Sequence, residues 1–103
     1  MIKLGAHMKI SKGFKTVPED TVNIGGNTFQ IFTHSPRTWS MKQPNNQEVD
    51  EFKINMKKFN ISFDSVLVHS SYLINLASPK DDIWEKSVET MIEEIKATNK
   101  TIQ

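Results

Sequence analysis

Val66-Leu67-Val68-His69-Ser70-Ser71-Tyr72-Leu73-Ile74-Asn75-Leu76-Ala77-Ser78-Pro79 is the stretch on which the fold class turns. A short apolar run, Val66 to His69, ends in an imidazole, and a loop carrying Tyr72 and Leu73 follows before helix-forming sequence resumes. Parallel α/β proteins handle ligands at the carboxyl ends of their strands, so an imidazole there is offered to a site. Tyr72 and Leu73 then stand as an aromatic and an apolar probe beside a metal.

Two further segments read the same way. Ile2 to His7 is apolar and ends in Gly-Ala-His, and Thr28 to Phe32 is rich in aromatic and β-branched residues. Between them, Phe14, Val17, Val22 and Ile24 fall near helical spacing, with Pro18 delaying the helix and Gly25-Gly26 stopping it. The second connector begins at Asn45 or Asn46, both competent caps, and carries an apolar stripe of Val49, Phe52, Met56 and Phe59. The third begins near Ser78-Pro79-Lys80-Asp81, with Pro79 expected in its first turn and Trp84, Val88, Met91 and Ile95 expected to face the core.

Strand, helix, strand, helix, strand, helix implies βαβ crossovers and a parallel sheet. A (β/α)8 barrel takes about 250 residues. The expectation is therefore an α/β chain holding the first three βα units of a TIM barrel, with residues 1–103 as one amino-terminal portion of a single barrel domain. The sequence stops at Thr101-Ile102-Gln103, just where a fourth strand would be expected to begin.

Composition narrows the chemistry. The chain of 103 residues is 37% apolar and 24% charged, with no cysteine, which excludes disulfides and thiolate metal sites and leaves His, Asp and Glu as donors. No segment has the length of a membrane helix or a signal peptide's apolar core, so the expected address is the cytoplasm. A net charge of +1 hides a split: residues 1–58 hold nine basic against five acidic residues, and residues 59–103 hold four against seven. The basic half favours a polyanionic partner.

His7 and His69 are expected at strand ends and His34 just past one, all at the same rim. No two histidines are spaced as a helical zinc motif. Arg37, the one arginine, lies in His34-Ser35-Pro36-Arg37-Thr38-Trp39, directly after the second strand. Its guanidinium can bind phosphate bidentately and stack on bases. With Tyr72 and Leu73 on a loop of the same rim, it forms a set suited to opening a duplex. There is no phosphate-cradling glycine loop and no nucleophile with an oriented base, because Ser70 and Ser71 beside His69 lack a third partner. Glu93-Glu94 reads as surface charge.

Leu4-Gly5-Ala6-His7, Phe29-Gln30-Ile31-Phe32-Thr33 with Arg37-Thr38-Trp39, Asp50-Glu51-Phe52-Lys53 and His69-Ser70-Ser71-Tyr72-Leu73-Ile74-Asn75-Leu76 together resemble the amino-terminal part of the endonuclease IV family, in order and in spacing. That resemblance implies a TIM barrel with three zinc ions at the rim, hydrolysing the phosphodiester 5′ to an abasic nucleotide in double-stranded DNA. It maps a zinc ligand onto His69, DNA-probing residues onto Arg37, Tyr72 and Leu73, and at most a supporting part beside the metal onto His7. The family's remaining ligands lie on later strands. One protein ligand falls short of the roughly three a catalytic zinc takes, so these 103 residues alone are expected not to cleave DNA. Family enzymes are usually monomeric, whereas this chain by itself is expected to show partial order, association through open strand edges, or dimerisation. The alternatives are a xylose-isomerase-like sugar isomerase or epimerase and a non-catalytic binding module.

Overall fold

The computed structural model describes residues 2–102. Three parallel strands, β1 (Gly5–His7), β2 (Thr28–Phe32) and β3 (Leu67–His69), lie in the order β1-β2-β3, and helices α1 (Val17–Asn23), α2 (Asn46–Lys58) and α3 (Asp81–Ile102) follow them in turn. The register pairs His7 with Gln30 and Phe32 with His69, which brings the carboxyl ends of the three strands to one rim.

The helices follow from their ends. Asn45 caps α2, its Oδ1 accepting from the Glu48 N–H at 2.8 Å. A 3-10 turn at Phe14–Thr16 precedes α1, whose first turn accommodates Pro18, and Gly25 (φ 86°) terminates it. The Gly25 N–H donates to Val22 O and the Gly26 N–H to Thr21 O, a Schellman ending that needs a left-handed residue where Gly25 stands. Asn60 (φ 55°) fills that position after α2, with the same pair of bonds to Lys57 and Met56.

Core formation follows period two in β2 and period 3.6 in α2. Phe29 and Ile31 are buried on one side of the sheet, where Phe14, Val17, Phe52, Met56, Ile61 and Val66 complete the cluster. Phe52 is wholly buried, and the rings of Phe14, Phe29 and Phe63 meet it edge-on at centroid distances near 6 Å.

Three expectations are corrected. Val22 and Ile24 are exposed, because α1 is only seven residues long and buries Val17, Pro18 and Thr21 instead. In the third connector the Lys80 carbonyl accepts the first helical bond, from Trp84 N–H, so Pro79 stands outside α3. The stripe Trp84, Val88, Met91 and Ile95 is not core: Trp84 is 47% and Ile95 59% exposed. The face of α3 that packs inward is Ser87, Thr90, Glu94, Ala97 and Thr101. Its small and hydrogen-bonding side chains meet loops with polar backbone groups to satisfy, while Val88 and Met91 of the apolar stripe are half-buried.

Gly5 is required by close approach. A Cβ there would lie 1.8 Å from the Thr28 carbonyl oxygen of the paired strand, whereas a Cβ on Gly25 meets nothing within 4 Å. We predict that Gly5→Ala costs about 3 kcal/mol or more by forcing β1 off β2. Gly25→Ala should cost only the left-handed penalty of about 1–2 kcal/mol. Urea unfolding of the two variants checks the order.

Candidate functional site at the carboxyl-terminal rim

Side chains on the sheet face turned away from the helices, and at its rim, form an aromatic group. The His7 and Phe32 rings lie 4.5 Å apart and those of Phe32 and His69 4.9 Å; Tyr72 stands 5.1 Å from Phe32 and 6.0 Å from His69. Parallel pairing is the cause. The register sets His7, Gln30 and Leu67 side by side on one face, and Phe32 and His69 two residues further along it.

His69 is exposed at the end of β3, and its Nδ1 contacts the Ser70 carbonyl oxygen. A carbonyl can only accept, so Nδ1 carries the proton and Nε2 keeps a free lone pair, the form in which imidazole binds a metal. His7 Nδ1 lies 3.0 Å from Gln30 Nε2, and the His7 and His69 ring centroids are 6.4 Å apart. Burial, and after it the repulsion a protonated His69 would exert, hold the His7 imidazole below its usual 6.5. Two imidazoles of the right kind thus share the rim, but among the described residues no group of three His, Asp or Glu side chains could hold a metal ion. The donors fit zinc in kind and fall short in number.

The loops that carry Arg37 and Tyr72 are joined. Ser71 Oγ donates to the Pro36 carbonyl at 2.7 Å and the Tyr72 N–H donates to the same oxygen at 3.0 Å. Arg37, exposed and next in sequence, is therefore anchored to the segment that carries Tyr72. Tyr72 is 61% exposed, while Leu73 is half-buried and its N–H donates to Ser71 Oγ.

His34 and Glu94 depart from the sequence reading. His34 is 8% and Glu94 4% exposed, and His34 Nε2 approaches Glu94 Oε1 to 3.3 Å, an electrostatic contact not aligned as a hydrogen bond. His34 turns inward to Glu94, although it lines one hollow together with His7 and Phe32. Glu94 is no surface charge: its Oε1 accepts the buried Ser71 N–H at 2.7 Å. Adjacent acids such as Glu93 and Glu94 look alike by composition. The missed signal was the three-and-four spacing of Ser87, Thr90, Glu94, Ala97 and Thr101, a second stripe offset from the apolar one.

Glu94→Ala, which strands the Ser71 N–H and the buried His34, should cost about 3–5 kcal/mol and abolish amide-exchange protection at Ser71 and Tyr72. Glu94→Gln keeps an acceptor and should retain most of that protection. The metal-free His7 ring should titrate below 6.5 by NMR. Its share of stability is then complete above 6.5 and is lost as pH falls through the lowered folded value, since the unfolded chain binds the proton more readily.

Comparison with known proteins agrees with this geometry. The xylose isomerase-like TIM barrel family matches residues 18–101. A protein of Petrotoga mobilis named "Probable endonuclease 4" is 71% identical over 99 residues, covering 96% of this chain and 34% of that protein. One of Thermotoga maritima with the same name is 59% identical over 100 residues, covering 97% and 35%. The crystal structure of endonuclease IV from Thermus thermophilus superposes with a TM-score of 0.86 at 28% identity, over 97% of this chain and 37% of that one. The chain thus spans about a third of the length of the curated relatives it matches. Its three parallel strands, the helices between them and these matches agree: the chain belongs to the xylose isomerase-like TIM barrel family, where the relatives it resembles are named endonuclease 4.

Proposed function

We propose that this chain is the amino-terminal portion of a DNA-repair endonuclease of the endonuclease IV type, which hydrolyses the phosphodiester 5′ to an abasic site with zinc. The observation that carries the reading is the junction at the Pro36 carbonyl, which holds the Arg37 loop and the Tyr72–Leu73 loop together within reach of His69. In this reading Arg37 clamps a backbone phosphate, Tyr72 stacks on a base and Leu73 supports the wedge that keeps the damaged nucleotide turned out. His69 Nε2 is the metal ligand, and His7 beside it, neutral near pH 7, adds little opposing charge. Bound zinc would supply hydroxide near neutral pH and offset phosphate charge.

Residues 2–102 bring no third donor to the rim, so the 103-residue chain alone binds without cutting. The relatives' names favour this reading over a sugar isomerase of the same barrel family. No helix among the described residues is long and apolar enough to cross a membrane, and we place the protein in the cytoplasm, with DNA as its partner.

Fluorescence anisotropy with an abasic duplex tests the assignment. Arg37→Ala should weaken binding and reduce the salt dependence by about one counterion. Tyr72→Ala should weaken it about tenfold, a stacking loss of about 1–3 kcal/mol, with the salt slope unchanged. Equal affinity for intact and abasic duplex, indifferent to both changes, would defeat the proposal. With added zinc the chain should leave the duplex uncut, and a metal-dependent 5′ nick would overturn the expected inactivity.

A further inference from the structure

We propose that His7 is a hydrogen-bond donor to the substrate and not a second metal ligand. Gln30 holds its imidazole with the proton on Nε2, where a phosphodiester oxygen beside the metal on His69 receives it, a role that rests on the function proposed above.

His7 and His69 are the same residue type at the ends of two strands, yet their neighbours prepare them for opposite work. A histidine that binds a metal through one nitrogen gives the hydrogen on the other to a carboxylate or a carbonyl. His69 meets that condition, because its Nδ1 contacts the Ser70 carbonyl oxygen and Nε2 keeps a lone pair. His7 does not. Its Nδ1 faces the amide nitrogen of Gln30 at 3.0 Å, and an amide nitrogen can only donate. Nδ1 must then accept, and a neutral imidazole that accepts at Nδ1 carries its proton on Nε2. Among the described residues no carboxylate pairs with His7, so none draws that proton back to Nδ1.

Backbone register produces this arrangement. His7 and Gln30 are partners in the pairing of β1 with β2, which sets their side chains together on one face. Phe32, two residues further along β2, packs its ring 4.5 Å from that of His7. The imidazole is thus held at one nitrogen and against one ring, while the residue itself stays exposed. Its surroundings suit an anion: Lys9 lines the hollow in front of it, and Arg37 follows Pro36 on the far wall. The His7 and His69 rings lie 6.4 Å apart, close enough for one phosphate group to meet both. A hydrogen bond from Nε2–H to a phosphate oxygen is charge-assisted, and a donor already fixed by Gln30 needs no rearrangement when the substrate arrives.

Nitrogen-15 NMR of the histidine-labelled chain in mildly alkaline buffer locates the protons. His7 should show the Nε2–H form and His69 the Nδ1–H form, and added zinc should shift Nε2 of His69 alone. Gln30→Glu sets a carboxylate, which only accepts, against Nδ1, and should reverse His7 so that zinc shifts its Nε2 as well. In anisotropy with duplex DNA, His7→Phe, folded by circular dichroism, should bind about tenfold more weakly through loss of one hydrogen bond to a charged group. The salt dependence should stay as it was, because no cation is removed. His7→Gln, whose amide reaches the place of Nε2, should recover most of the affinity, whereas a ring that only packs would be replaced better by Phe. A proton on His7 Nδ1 in the unaltered chain, zinc shifting both rings alike, or His7→Phe binding as tightly as the unaltered chain would each overturn the proposal. Equal binding of intact and abasic duplexes would defeat the abasic-site assignment, while the proton positions and a His7→Phe loss on either duplex would still uphold the donor.

Discussion

The backbone N–H of Ser71 is buried at the rim and must find an acceptor inside the protein, and Glu94 from the middle of α3 supplies it. Much of the functional geometry depends on that bond. Once Ser71 is held, its hydroxyl and the following N–H both reach the Pro36 carbonyl, which fixes the Arg37 loop against the Tyr72 loop. The carboxylate also faces His34, so three segments distant in sequence meet at one buried charge. Breaking a buried, hydrogen-bonded carboxylate from its partners is costly, and this lets irregular loops hold a defined shape.

Further polar ties repeat the pattern. Gln43 Nε2 donates to the backbone and carboxylate oxygens of Glu93, Lys100 Nζ donates to the Pro44 carbonyl at 2.6 Å, and the Asn75 N–H donates to Ser87 Oγ. α3 therefore acts as a splint for the loops after β2 and β3, and its inward face is small and polar because backbone groups are what it meets.

Rim chemistry rests on the other face of the sheet. Register sets His7 and His69 either side of β2 with Phe32 between them, and the proton on His69 Nδ1 leaves a nitrogen free at the mouth of the site. Tyr72 extends the same aromatic group outward, so a metal ligand and a base-stacking ring are neighbours in the reading proposed above. Such proximity suits an enzyme that must hold an opened duplex while acting on its backbone.

Much of this could be read from the residues in order. The aromatic and β-branched content of Thr28–Phe32 placed β2 to the residue, Gly25-Gly26 marked the end of α1, and Asn45 or Asn46 with Val49, Phe52 and Met56 marked the start and buried face of α2, because those signals are local. His69 at a strand end, with Tyr72 beyond it, was legible for the same reason. The burial of Glu94 and His34 was not, since a carboxylate enters a protein interior only when a distant N–H requires it, and no local pattern names that partner. Nor could spacing tell which of two interleaved stripes on α3 turns inward. Periodicity determines that a helix has faces, and only the tertiary structure decides which face meets the rest of the chain, because that choice belongs to the groups lying opposite.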